Sequence, residues 1–123
     1  LVACELFSNQ LERLDLSGAA SLDELHIYNN KLAYQSFYGL RSLRYVDIRN
    51  NCVKSLDLSG NTAMNFLFAT ENPSLETVHI NEGAAYSALE VAENVKIYYR
   101  VAREYNDVGG TSWGDDEVDP WKK

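Results

Sequence analysis

Hydrophobic residues recur with a period of 21 residues along the first two-thirds of the chain. Four successive blocks follow the pattern L-x-x-L-x-L-x-x-N-x-L, namely LVACELFSNQL, LDELHIYNNKL, LRYVDIRNNCV and MNFLFATENPS. A repeat of this length is typical of solenoids, in which one turn buries its apolar face only against its neighbours. The pattern therefore predicts a stack of about four turns over residues 1–83, the last of them irregular.

Each block contains the pattern of a half-buried strand, followed by an asparagine at a constant position. The last two leucine positions alternate with a polar position, which is the period of a strand with one buried face. Asn9, Asn30, Asn51 and Asn72 then follow at constant spacing. Because buried backbone groups need hydrogen-bond partners, we predict a ladder in which each Asn binds the backbone of its own turn and of the next.

The other half of each turn carries a weaker copy of the pattern. LERLDLSG and VKSLDLSG alternate like strands, which predicts short extended segments rather than helices on the outer side. Gly18, Gly39 and Gly60 share a column and predict a tight bend where a side chain would clash. In the middle copy, Gln35 occupies a leucine slot, so either it is buried with hydrogen-bond partners or this side is locally distorted.

The pattern changes after Asn72 and Pro73. Leu75, Val78 and Ile80 continue the outer pattern one residue later than the period predicts. Residues 84–105 are predicted to form a C-terminal cap, in which a helix over AAYSALEVAEN is followed by a strand over VKIYYRV, because a solenoid needs its open end covered. Residues 106–123 have the composition of an acidic flexible tail.

These repeats resemble the leucine-rich repeat family, whose motif has the same spacing. The 21-residue period with LDLSGN resembles the bacterial internalin-like or surface-protein type. The resemblance covers residues 1–83 and implies a right-handed solenoid with a parallel β-sheet on its concave face. Together with the extended segments and the cap predicted above, the expected fold is a leucine-rich repeat solenoid with short extended segments on its convex face and a small C-terminal α+β cap. The resemblance also implies a secreted or cell-surface bacterial binding protein, but no particular ligand.

The net charge and the lack of catalytic motifs exclude several classes of function. Eighteen acidic and eleven basic residues leave a net charge of −7, which argues against nucleic acid and anionic membranes as partners. No apolar run approaches the roughly 20 residues of a membrane span. Neither a glycine-rich phosphate loop nor the motifs G-x-S-x-G and H-E-x-x-H occur. We therefore expect no enzymatic activity, cofactor or metal.

The two cysteines are predicted to be free thiols. Cys4 and Cys52 lie two turns apart, so their strands are about 10 Å apart, beyond the ~7 Å that a disulfide allows between Cα atoms. LVAC also resembles the end of a lipoprotein signal, so Cys4 is either a lipid-anchor site or a buried residue of the repeat. Since the sequence begins inside a repeat, we expect a fragment of a longer protein or a pairing partner at that end.

The outward positions of the inner strands form the candidate binding surface. Aromatic side chains and Arg dominate interfaces, because they bury a large area for few frozen torsions. The register places His26 beside Glu5 and Asp47 of the adjacent turns, whereas His79 lies two or more turns away. The expected contact residues are Tyr28, Tyr45, Arg49, Phe66 and Phe68, with Arg44 and His26 as second choices. The alternative is that another segment covers these rings.

Two functions remain open at this stage. The first is a non-catalytic recognition or adhesion module that binds a protein or a carbohydrate through its concave face. The second is a structural spacer or stalk within a larger surface protein, with a lipid anchor or flanking domains outside this chain.

Overall fold

The chain folds into a parallel-strand β-solenoid of about five turns. The structure, a computed structural model, describes residues 2–103 and 112–116. Its strands are β1 (Ala3–Glu5), β2 (Glu24–His26), β3 (Tyr45–Asp47), β4 (Ser55–Leu58), β5 (Phe66–Phe68), β6 (Thr77–Asn81), β7 (Ala88–Glu90), β8 (Lys96–Arg103) and β9 (Ser112–Asp116). They form a five-stranded sheet of order β1-β2-β3-β5-β7 and a four-stranded sheet of order β4-β6-β8-β9.

The five-stranded sheet reproduces the repeat register. All its strands are parallel, and Cys4 pairs with Leu25, Leu25 with Val46, and Val46 with Leu67. Each of these steps is one 21-residue period, so equivalent residues of successive repeats are direct neighbours. The predicted parallel sheet is confirmed.

The four-stranded sheet lies in the other half of each turn. β4, β6 and β8 are parallel, and Leu56 pairs with Val78 and Val78 with Ile97. The step of 22 residues between β4 and β6 is the one-residue slip that follows Pro73. Short extended segments on this side are therefore confirmed for the third and fourth turns, and Leu75 continues the outer pattern as predicted.

The core lies between the two halves of the turns and is built from the repeat columns. Leu25, Val46 and Leu67 from one sheet and Leu58 from the other are fully buried. In the first turn, Cys4 and Leu6 are only partly buried, because a neighbouring turn packs on one side only. Burial therefore rises from the first turn to the second, as a stack of thin turns requires.

The predicted asparagine ladder is confirmed for Asn30, Asn51 and Asn72, although each binds the preceding turn and not the next. For Asn9 the prediction is wrong, because this residue is exposed and its side chain bonds only within its own turn. Nδ2 of Asn51 donates to the carbonyls of Ile27 in the preceding turn and Ile48 and Arg49 in its own, at 3.0–3.2 Å. Its Oδ1 accepts the amide of Leu32 at 3.0 Å. Asn30 and Asn72 make the equivalent bonds one turn away on either side. Each buried Asn thus joins two adjacent turns through hydrogen bonds to the backbone of both.

The predicted helix at the C-terminal end is wrong. No helix occurs in the described residues, and Ala88–Glu90 within this segment form β7, which extends the five-stranded sheet beside β5. Leu89 pairs with Leu67 and packs against the core. Pairing with an existing strand and core contact outweigh helix propensity here, because propensity is a weak preference that tertiary context overrides.

The predicted C-terminal strand is present as β8. Val95 and Ile97 are buried, and Tyr99 packs against the core, as the alternation indicates. Residues 84–103 therefore add a further turn instead of a helical cap. Within 106–123, where the sequence predicts a flexible tail, residues 112–116 form β9 antiparallel to β8. The remaining residues of that segment, Trp121 included, lie outside the described residues.

Gln35 and the cysteines fit their repeat positions. Gln35 is buried, and its side-chain nitrogen Nε2 donates to the carbonyls of Leu14 and Ser36 at 3.1 and 2.9 Å. Of the two alternatives for Gln35, burial with hydrogen-bond partners is thus the one found, although its Oε1 has no partner. Cys4 and Cys52 are free thiols, as predicted.

The glycine column has a different cause from the one expected. A Cβ added at Gly18, Gly39 or Gly60 would meet nothing within 4 Å, so a clash is not the reason for glycine. Gly18 and Gly39 instead have φ angles of 83° and 81°, in the left-handed region that side chains disfavour, whereas Gly60 lies outside that region.

This difference supplies a matched pair of substitutions. Gly39→Ala should lower the free energy of unfolding by about 1–2 kcal/mol, because Ala is strained at positive φ. Gly60→Ala should leave it unchanged or raise it by up to about 1 kcal/mol, since it restricts the unfolded chain without strain. Urea denaturation of both variants measures the difference, and an equal loss in both would contradict the conformational explanation.

Candidate functional site

The candidate site is the outward side of the five-stranded sheet. Successive side chains of a strand point to opposite sides, so the residues that flank each buried Leu or Val face outward together. We call this surface the aromatic face, and it comprises Phe7, Glu24, His26, Tyr28, Arg44, Tyr45, Asp47, Arg49, Phe66 and Phe68. All seven residues predicted as contacts lie on it, and the parallel register brings them together.

One part of the aromatic face is a closed stack along the turns. The rings of Phe7 and Tyr28 are parallel within 1°, with their centroids 4.8 Å apart. On the next turn, the guanidinium carbon of Arg49 lies 5.6 Å from the centre of the Tyr28 ring. Because Tyr28 lies between Phe7 and Arg49, both of its ring surfaces are occupied. This stack mainly stabilises the contact between turns, and Phe7, at 40% exposure, is its open end.

The second part is a tilted cluster of Tyr45, Phe66 and Phe68. The Tyr45 ring lies 5.9 Å from Phe66 and 5.5 Å from Phe68, at interplanar angles of 42° and 48°. Its other neighbour is His26, at 4.8 Å and 33°. Tilted rings leave part of each π surface uncovered, so this cluster is the open aromatic area of the face. We refer to Tyr45, Phe66 and Phe68 as the tilted cluster.

The Tyr45 hydroxyl is a neutral hydrogen-bonding group on this cluster. Burial, and next the Asp47 carboxylate, raise the pKa of Tyr45 above its ordinary value. The phenol therefore stays protonated at neutral pH. Among the described residues it has no hydrogen-bond partner, which leaves it able to donate to or accept from a ligand.

Two acidic residues of the face, Glu24 and Asp47, are paired with basic neighbours. Glu24 lies 3.1 Å from His26 Nε2 and 3.0 Å from the Arg44 guanidinium. Asp47 is only 2% exposed, and both of its oxygens accept from Arg49, at 2.9 and 2.7 Å. A buried carboxylate needs such a partner, since burying a charge alone costs several kcal/mol. The two arginines therefore compensate the charges of these two acids.

The surroundings of His26 differ from the sequence-based expectation. The predicted register is confirmed, because His26 pairs with both Glu5 and Asp47. Its carboxylate partner is nevertheless Glu24, two residues earlier on the same strand. Asp47 pairs instead with Arg49, through both of its oxygens. The two-residue spacing of Glu24 and His26 on one strand could have indicated this pairing in the sequence. The register between strands indicates Glu5 and Asp47 instead.

Arg49 has a structural role in addition to its predicted role as a contact. The hydrogen bonds that Arg49 donates to Asp47 raise the pKa of its guanidinium further above its already high ordinary value. The same guanidinium also lies 5.9 Å from the centre of the Phe68 ring. Arg49 therefore compensates a buried charge and joins the closed stack to the tilted cluster, a role that sequence reasoning missed along with those of Glu24 and Asp47.

The second histidine lies on the other sheet. His79 stacks on Tyr98 at 5.4 Å, and Arg100 donates to His79 Nδ1 at 3.3 Å and to Asp57 at 3.1 Å. His26 and His79 thus belong to different sheets. Within residues 2–103 and 112–116, no group of three or more His, Cys, Asp or Glu residues is placed to hold a metal ion.

The fold and the site together define a β-solenoid with an aromatic face on one sheet. In the described part of the chain, no helix has the length and apolar character that crossing a membrane requires. No family model, curated protein or solved structure that we compared with the chain matches it.

Proposed function

We propose that this chain is a non-catalytic recognition module that binds a ligand through its aromatic face. In this proposal the chain is a solenoid of the leucine-rich repeat type, part of a secreted or cell-surface bacterial protein. The repeat motif and its 21-residue period support the type and the location. The ligand is a protein or a glycan.

The observation that carries the proposal is the tilted cluster. Three aromatic rings lie side by side on a sheet surface, and all three remain partly exposed. Apolar surface grouped in this way is typical of interaction sites. The sheet below the cluster is held firmly, because β3 and β5 are each hydrogen-bonded on both sides and Asn51 and Asn72 join their turns to the preceding ones. A rigid surface loses little conformational entropy when it binds a ligand.

A structural spacer is the second candidate, and one observation favours it. In the closed stack, Phe7 and Arg49 each pack on the Tyr28 ring and cover it. If all the rings of the face acted only in this way, they would be turn-to-turn packing and no ligand would be required. The tilted cluster must therefore be tested separately from the stack.

The test compares two double variants, each of which replaces two aromatic residues with alanine. Tyr45→Ala with Phe66→Ala removes two rings of the tilted cluster, and Tyr34→Ala with Tyr38→Ala removes two exposed rings from the other half of the second turn. The wild-type chain and both variants are applied to an array of purified surface proteins and to an array of glycans. We expect the wild type and the Tyr34/Tyr38 variant to bind the same ligand and the Tyr45/Phe66 variant to lose it.

Circular dichroism and thermal melting accompany the binding assay. Equal binding by all three chains would contradict recognition through this face. Binding of no protein and no glycan by the wild type would favour the spacer. If the Tyr45/Phe66 variant unfolds, Phe66→Ala alone, which leaves Tyr45 packed on His26 and Phe68, provides the same comparison.

A further inference from the structure

We propose that the ligand of the aromatic face is a neutral oligosaccharide chain that lies along the stack of turns. This inference rests on the proposed function, because it names the ligand class of the same face. Three features of the face support it: its charge, its open rings and its lack of free backbone groups.

The charge distribution disfavours an anionic ligand. The two arginines of the face, Arg44 and Arg49, are already paired with acidic residues. Glu5 and Glu90 add negative charge on the outermost strands of the same sheet, and the chain as a whole carries −7, so anionic polymers are repelled. An anionic ligand would also have to break the pair between Arg49 and the buried Asp47.

The tilted cluster combines open rings with polar groups. The ring surfaces of Tyr45, Phe66 and Phe68 suit the apolar C–H face of a sugar ring, while neighbouring polar groups suit its hydroxyls. The Tyr45 hydroxyl has no partner in the part of the chain that the structure describes. Arg44 and Asn65 lie beside the cluster on the preceding positions of their strands. In addition, Ala88 follows Phe66 in the register and leaves space next to its ring.

An extended peptide of similar width is a poor fit. The strands below the face use their backbone groups for pairing with each other. A peptide lying across their side chains would find no backbone partners for its own N–H and C=O groups. Peptides that add to a sheet do so at an edge strand instead. A sugar chain has no such requirement, because its hydroxyls bond to side chains and water.

The experiment is affinity electrophoresis of the folded chain through gels that contain one polysaccharide each. The neutral probes are a β-1,4-glucan, a β-1,3-glucan, a xylan, a mannan and a starch, and polygalacturonate is the anionic control. We expect at least one neutral polysaccharide to retard the wild type and polygalacturonate to have no effect. Phe66→Ala should weaken the retardation at least about tenfold, as expected for an anchoring aromatic residue. Tyr38→Ala, which removes an exposed ring elsewhere, should not weaken it.

A second variant tests the face without removing a ring. Ala88→Lys adds bulk beside Phe66 and should block binding while the fold is retained, so it decides the matter if Phe66→Ala is unstable. The inference is overturned if no neutral polysaccharide retards the wild type, or if both variants are retarded as strongly as the wild type. If the protein array instead gives a ligand whose binding depends on Tyr45 and Phe66, the recognition function stands and only the ligand class is wrong.

Discussion

Asn51→Ala is expected to lower the free energy of unfolding by about 3–5 kcal/mol. The Asn51 side chain makes four hydrogen bonds from a buried position, three as donor and one as acceptor. Alanine leaves the buried Leu32 amide without a partner, whereas the carbonyls of Ile27, Ile48 and Arg49 each lose one of two hydrogen bonds. An unsatisfied buried amide costs about 1–3 kcal/mol and each lost hydrogen bond about 0.5–1.5 kcal/mol. A domain of this size has only about 5–15 kcal/mol of stability, so the loss is a large share of it.

Asn9→Ala is the matched control for the ladder. Asn9 occupies the same column in the first turn, but it is exposed and its side chain makes a single hydrogen bond, from Nδ2 to the Phe7 carbonyl. We expect a loss below about 1 kcal/mol, because water replaces that bond. Urea denaturation of both variants gives the comparison. A similar loss at both positions would show that Asn51 does not act by joining two turns.

Phe37→Ala is expected to cost about 3–5 kcal/mol of stability, the usual range for a buried aromatic residue. Phe37 is 2% exposed and occupies the slot that Leu16 and Leu58 fill in the neighbouring turns. Its removal opens a cavity between the turns, which a stack fixed by asparagines on both sides cannot collapse. Phe37→Leu, which restores the residue type of the column, should recover most of this loss.

The adjacent residue provides the control for the cavity. Tyr38 is 92% exposed, so Tyr38→Ala should change the stability by no more than about 0.5 kcal/mol. Thermal or urea unfolding of the three variants measures the effect. If Tyr38→Ala proves as costly as Phe37→Ala, the second turn does not have the orientation described. The same Tyr38 variant is a control for ligand binding, so its stability is of use in both experiments.

Sequence spacing predicted the stack well because contacts in a solenoid join equivalent positions. Residue i lies beside residue i + 21, so a column in the sequence becomes a row of neighbours in space. Asn30 and Asn51 show this most directly, since each contacts the backbone of the preceding turn at an equivalent place. The outward positions of Tyr28, Tyr45, Arg49 and Phe66 follow from the same register.

The end of the repeat was predicted less well. Residues 84–94 are rich in good helix formers, and their local pattern does not indicate that β5 is available to pair with this segment. β7 forms because β5 offers an unpaired edge and the core offers a place for Leu89. That is a long-range condition, which composition and local propensity do not contain.

The pairing of charges on the aromatic face was also beyond the sequence. The register identifies which residues are neighbours on adjacent strands, but it does not determine which acidic side chain a given Arg or His pairs with. Arg49 binds Asp47, two residues earlier in the chain, and His26 binds Glu24 at the same spacing, so neither pair joins adjacent turns. Side-chain direction and burial decide these pairs, and both depend on the packed rings around them.

By itself, the sequence determined the period, the parallel register, the asparagine ladder and the set of side chains that face outward, because all of these repeat along the chain. Only the tertiary structure decided the fate of the non-repeating segment, the partners of each charge and the angles between the rings. Those angles separate the closed stack of Phe7, Tyr28 and Arg49 from the open tilted cluster. They depend on how each side chain packs among neighbours from other turns, and no one-dimensional pattern specifies that.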